Sequence, residues 1–236
     1  MNFDRHAFWR DPAKSPYPAP WVEHCKPEFY LDLVNVTRLI VETMQKYARP
    51  EWSILELGSG TGRNLAGLYQ AGYRNLLGIE INPDAVELGQ EHFPEYRDVS
   101  VMVAPIEDMI HKLAPVDVIF TSGVLMHLPY DLEWVIQLLR EKARRLIVTN
   151  EGEREASFHA WPHNYKALLE DGGQWRQVEW HTGEAYPPLP KTTIKRVFVK
   201  EYSEPEPEPV MEAAPVIKTK PTRFPVKPAR KAGPKR

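Results

Sequence analysis

Between residues 52 and 150 five short apolar runs alternate with stretches of helical periodicity. The runs are "WSILEL", "NLLGIE", "VSVMVA", "VDVIFT" and "RRLIVTN", and between them lie "RNLAGLYQAG", "PDAVELGQEHF", "IEDMIHKL" and "DLEWVIQLLREKA". Strands apolar along their whole length need cover on both faces, and strands separated by helix-length connections pair parallel. The alternation predicts an α/β domain with a Rossmann-like, mostly parallel sheet and helices on both faces. A further helix, "HNYKALLEDGG", ends in glycines that suit a C-terminal cap. It leads to "WRQVEWHT" and then, across a proline-rich loop, to "KTTIKRVFVKEY". That connection is too short for a helical crossover, so these two strands should pair antiparallel. The expected sheet has seven strands, the last of them antiparallel.

Upstream, Phe29, Leu33, Val36, Ile40, Met44 and Tyr47 recur at helical spacing, predicting one amphipathic helix from Glu28 to Ala48 with Pro50 as its stop signal. Residues 1–27, with "FWRDPAKSPYPAPW", read as an irregular aromatic and proline-rich arm, a candidate lid over a site in the 28–202 domain. Residues 203–236 hold "EPEPEP" and then "KTKPTRFPVKPARKAGPKR", too poor in apolar side chains to fold, and are expected to be a disordered tail. The net charge of −2 hides an asymmetry: residues 217–236 carry eight Lys or Arg and no acid, against 22 bases and 32 acids before them. A basic tail of this kind is a candidate contact for a polyanion. The single cysteine, Cys25, excludes an internal disulfide and a cysteine-based zinc site. With no secretory h-region and no apolar run long enough to span a bilayer, the expectation is a cytoplasmic protein with no membrane contact.

"ILELGSGTGRNL", residues 54–65, sets three glycines in five positions directly after the first apolar run. Glycine loses more backbone freedom on folding than any other residue, so such a cluster needs a close approach to justify it. A strand, a glycine turn and a helix start form a cradle for a nucleotide-like ligand. The dinucleotide fingerprint, G-x-G-x-x-G, sets a diphosphate on the helix end. Here Gly58-x-Gly60 is followed at the third position by Arg63; the actual spacing is Gly58-x-Gly60-x-Gly62, preceded by Glu56. An acid in that position repels a diphosphate and suits a ligand carrying an ammonium and a sulfonium, as S-adenosylmethionine does. Glu80, closing the second strand in "LLGIEIN", is placed to accept hydrogen bonds from the two ribose hydroxyls.

"ELGSGTGRN" and "GIEIN" resemble the first and second motifs of the class I S-adenosylmethionine-dependent methyltransferases, and the resemblance extends over residues 28–202. It implies that the adenine lies against Ile81 and the "APIED" turn, with the Ile106 amide near the ring nitrogens. The family often has an acid or Ser where this chain has Pro105, and Glu107 is the substitute at hand for the adenine amino group.

The methyl acceptor should approach over the end of the fourth strand, in "VDVIFTSGVLMHLPYDL". There Ser122 and Gly123 are candidates for the methionine moiety and His127 for a base, while Glu151 at the end of the fifth strand is a comparable acid. The Pro-Pro-aromatic motif of base amino-group methylation is missing, no cysteine stands near strand four or five for base-carbon methylation, and no metal site is evident. His159 and His163 read as two surface histidines. Tyr17, Trp21, Trp161, His163 and Tyr165 are candidates for an aromatic acceptor wall. A narrower set, "FW", "GVLMHLPYDL" and "ARRLIVTNE", is similar to methyltransferases associated with pseudaminic acid and other nonulosonate sugars. The expected activity is metal-independent O- or N-methylation of a polar small molecule, a sugar derivative being one candidate. The alternatives are methylation of RNA or protein recruited by the tail, or cofactor binding without turnover.

Overall fold

The computed structural model describes residues 3–15, 22–154, 156–185 and 191–201. The strands are β1 (Ile54–Leu57), β2 (Leu76–Glu80), β3 (Ser100–Val103), β4 (Val116–Ser122), β5 (Ala143–Gly152), β6 (Trp175–Thr182) and β7 (Thr193–Lys200). They form one sheet in the order β3-β2-β1-β4-β5-β7-β6. The neighbours from β3 to β5 pair parallel, and β7 runs antiparallel to both β5 and β6. This is the expected sheet, with its one reversed strand last in sequence and next to last in space.

Side-chain alternation explains why the central strands are apolar throughout. Leu55, Ile119 and Ile147 point into one core with Ile136, Leu139 and Phe198, whereas Ile54, Val118 and Phe120 point into the other with Ile40, Leu65 and Leu68. Period-two alternation thus feeds two cores, one beneath each layer of helices. The chain turns in opposite directions on leaving β1 and β4, and their carboxyl ends open a crevice between them. Local signals fix the helices that line it. Asn82 accepts hydrogen bonds from the amides of Asp84 (3.0 Å) and Ala85 (3.3 Å), and Pro83 opens the helix Pro83–His92 that follows.

Two expectations about the N-terminal part are corrected. The helix placed at Glu28–Ala48 is a 3-10 turn, Pro27–Tyr30, followed by a helix over Val34–Tyr47. The cause lies across the fold: the Arg63 guanidinium donates to the Tyr30 carbonyl at 2.5 Å. The Val34 amide turns instead to the Asp32 carbonyl at 2.8 Å. The stripe that is buried starts at Val36, and Phe29 remains 42% exposed. Within 1–27, read as irregular, a helix forms at Arg5–Arg10, with the Asp4 side chain accepting from the Ala7 amide at 3.0 Å. Phe8, Val22 and Cys25 are buried together against Phe3, Trp9 and Phe158. The tail expected at 203–236 lies outside the described residues, as do Tyr17 and Trp21 of the aromatic set. Among the described residues no helix is long and apolar enough to cross a membrane.

Candidate functional site

A cavity of about 1000 Å³, counting its open mouth, lies at the carboxyl ends of β1, β2 and β4. Glu56, Gly58, Gly60, Glu80, Ile81, Ile106, Ser122, Gly123 and His127 all line it. Gly62 and Glu151 do not line it, and each has a structural task instead.

The glycine loop is built by left-handed backbone. Gly58, Gly60 and Gly62 have φ of 66°, 53° and 70°. A Cβ at Gly62 would fall 2.2 Å from the Tyr96 ring, so this glycine lets the loop sit on a buried tyrosine. A Cβ at Gly60 would meet nothing within 4 Å; the space it would enter belongs to the cavity. The loop is therefore shaped to leave room for an occupant directly over Gly60.

Glu80 ties that loop to the second strand. Its Oε2 accepts from the Gly60 amide at 2.7 Å and its Oε1 from the Asn82 amide at 2.8 Å. Burial pushes its carboxyl above the ordinary value, against the hydrogen bonds from these amides and that of Ile81. The two oxygens together hold more lone pairs than these backbone bonds use.

Glu56 and Arg63 define a charged end. Glu56 Oε1 accepts from Asn64 Nδ2 at 2.7 Å, while its buried Oε2 has no partner among the described residues. Burial pushes the carboxyl up to about 8, despite the Asn64 hydrogen bond and the nearby Arg63. Arg63 donates from Nε to Thr37 Oγ1 at 2.7 Å as well as to the Tyr30 carbonyl, and burial lowers it to about 10. Arg63 lines the cavity too, so an acid with an unused oxygen and a guanidinium face one region of it. That pair suits the ammonium and carboxylate of an amino acid. The sequence reading used Arg63 only as a missing glycine; the signal for it was a basic residue opening a helix whose first turn holds no acid.

At the other end the loop after β4 carries His127. Its Nδ1 lies 2.6 Å from the His159 carbonyl, which fixes the proton on Nδ1 and leaves Nε2 as an acceptor. The ring stacks on His159 (centroids 5.3 Å, 11°) and meets Trp9 of the N-terminal helix at 4.4 Å. Burial holds His127 down at about 4, despite the hydrogen bond to His159. Trp9 and Arg5 line the cavity beside it.

Glu151, expected as a catalytic acid or a solvated loop residue, is fully buried. It accepts from Thr121 Oγ1 (2.6 Å), the Val124 amide (2.9 Å) and the Met126 amide (3.2 Å). It holds the turn that carries His127 and does not reach the cavity. His163, expected on the surface, is 3% exposed: Nε2 donates to the Leu128 carbonyl at 2.7 Å and Nδ1 faces Glu133 at 3.0 Å. Tyr165 is buried in the core, so neither belongs to an acceptor wall. Among the described residues no group of three His, Cys, Asp or Glu is placed to hold a metal.

Residues 54–146 match a family model described as a methyltransferase domain. The fold is similar to magnesium protoporphyrin IX methyltransferase from Synechocystis PCC 6803, solved with bound S-adenosylmethionine. The two share 16% identity over 85% of this chain and 99% of that one, with a TM-score of 0.64. It is similar to the putative methyltransferase solved with the Haloferax volcanii Trm112 activator (14% identity, 86% and 100% covered, TM-score 0.60). The methyltransferase domain of bacterial CtHen1 gives 12% identity, 71% and 98% coverage and a TM-score of 0.57. Residues 54–146 thus carry a methyltransferase domain, set in a fold that S-adenosylmethionine-dependent methyltransferases share.

Proposed function

We propose that the protein methylates an O or N atom of a polar small molecule, without a metal, at the cavity end walled by His127 and Trp9. Glu80 would hold the ribose, Ile81 and Ile106 the adenine, and Glu56 and Arg63 the ammonium and carboxylate of the methionine moiety, beside Ser122 and Gly123. S-adenosylmethionine, when bound, supplies an electrophilic methyl group on a sulfonium. His127 takes the acceptor's proton on Nε2, the nitrogen its bond to His159 leaves bare. Trp9 and the turn held by Glu151 keep that ring in place and water away from it.

The observation that carries this reading is the seat of Trp9 on His127, which narrows the approach to the base from the side of the N-terminal helix. A pocket edged by the enzyme's own helix suits a compact acceptor better than a folded polymer. Among proteins of similar fold, one is named for a porphyrin and another is a putative RNA methyltransferase from Pyrococcus horikoshii, so fold alone does not choose the acceptor. The test is transfer of labelled methyl from S-adenosylmethionine into cell extracts split by size, with hydroxylated and amino sugars as defined acceptors. Label in the small-molecule fraction is the expected result. Label confined to RNA or protein, and lost on deleting residues 204–236, favours the tail-recruited alternative.

A further inference from the structure

The helix Arg5–Arg10 touches the cavity at two places, Trp9 at His127 and Arg5 with His6 at Glu107. Glu107 follows the Pro105–Ile106 turn that closes β3 and lines the cavity beside both. Its Oε1 accepts from the Arg5 guanidinium and from His6 Nε2, the latter at 2.7 Å. Its Oε2 is buried and has no partner among the described residues. Burial pushes this carboxyl up, but hydrogen bonds from Arg5 and His6 and the Arg5 charge outweigh it and hold the group below the ordinary value. With one oxygen clamped and the other unused, this carboxylate at the cavity edge is one hydrogen bond short. Pro105 offers neither an amide N–H nor a polar side chain on this turn, so Glu107 supplies the turn's polar side chain at the cavity.

We infer that Arg5 and His6 are positioning residues of the cofactor site: they hold Glu107 so that its free oxygen meets the adenine amino group, and this makes cofactor binding and seating of the helix Arg5–Arg10 one linked equilibrium. The inference rests on the cofactor placement proposed above. Linkage is reciprocal, so a seated helix tightens cofactor binding by the factor by which cofactor favours seating. Because Trp9 rides on the same helix, the wall around His127 is completed by the arrival of the cofactor. The acceptor therefore binds second.

The experiment uses the full chain and S-adenosylhomocysteine, with calorimetry for affinity and hydrogen exchange at the amides of residues 8–10. In the unaltered protein the ligand should slow exchange at these amides at least tenfold. It should also bind at least tenfold tighter than S-inosylhomocysteine, in which an oxo group replaces the adenine amino group. Arg5→Ala and Glu107→Ala should each lose the slowing and most of the discrimination, and Arg5→Lys should restore part of both. Exchange indifferent to ligand, or full discrimination in Arg5→Ala, overturns the inference. An unaltered protein that binds no S-adenosylhomocysteine overturns the cofactor placement itself, whereas binding indifferent to Arg5 overturns only the linkage.

Discussion

Trp9 lies against His127 with ring centroids 4.4 Å apart, a contact between the N-terminal helix and the loop after β4. With the His159 carbonyl on Nδ1, it leaves the imidazole neutral and oriented. His127→Gln is expected to lower kcat by a factor of roughly 10² to 10⁴, the usual worth of a positioned base. The affinity for S-adenosylhomocysteine should stay within about twofold of the original, since His127 stands away from the charged end. Unchanged turnover on a hydroxyl acceptor would remove the base from the mechanism.

The same residue makes stability depend on pH. His127 titrates at about 4 in the fold and at its ordinary value of 6.5 when unfolded. Between those values the unfolded chain holds the extra proton, so acid favours unfolding there. The contribution is fully present above 6.5 and lost as pH falls towards 4. Denaturant melts from pH 7 to 4 should show a shallower decline for His127→Gln than for the unaltered protein; equal slopes would mean that another group dominates.

Gly60 and Gly62 should fail in different ways. Gly62→Ala drives a methyl into the Tyr96 ring at a left-handed position, and a loss of about 2 kcal/mol or more of stability is expected. Gly60→Ala has room, so only the backbone strain of roughly 1 kcal/mol applies. Its methyl enters the space of the occupant, however, and should weaken S-adenosylhomocysteine at least tenfold. Melting temperature and calorimetry on the two variants separate the outcomes, and equal affinity losses at equal stability would count against the cradle.

Arg63 is expected to act on one part of the ligand only. Arg63→Gln should weaken S-adenosylhomocysteine by a factor of ten or more while leaving 5′-methylthioadenosine, which lacks the amino-acid end, within about twofold. Glu80→Ala should weaken both, by two charge-assisted hydrogen bonds of about 1.5 to 3 kcal/mol each. Loss of both ligands in Arg63→Gln would mean that the arginine supports the loop through Tyr30 and Thr37 and leaves the ligand alone.

Elements whose cause is local were legible before any coordinates. The strand alternation, the glycine turn and Glu80 follow from residues within a few positions of one another, and each stands where its spacing put it. Elements decided by distant partners were not. The interruption after Tyr30 is imposed by Arg63, and the burial of Glu151 by amides of the preceding loop. The histidines at 159 and 163 looked exposed because a helix-like spacing broken by Pro162 carries no information about the β4 loop that covers them. Trp9 was visible as part of "FW", but nothing near it in the chain names His127 as its neighbour.

The reversed strand β7 separates two trades within one sheet. Among the described residues the cavity is lined by none beyond Leu128, so β5, β7 and β6 serve as a keel. The cavity is lined from the first half of the chain, and within it the ribose and methionine contacts proposed above sit at and just after strand ends, while the proposed acceptor wall sits on the N-terminal helix and the 122–128 loop. Such an enzyme can be retargeted by grafting. Exchanging residues 3–15 and 122–128 for those of another methyltransferase should change which molecule is methylated and leave the grip on the methyl donor's ribose and amino acid as it was.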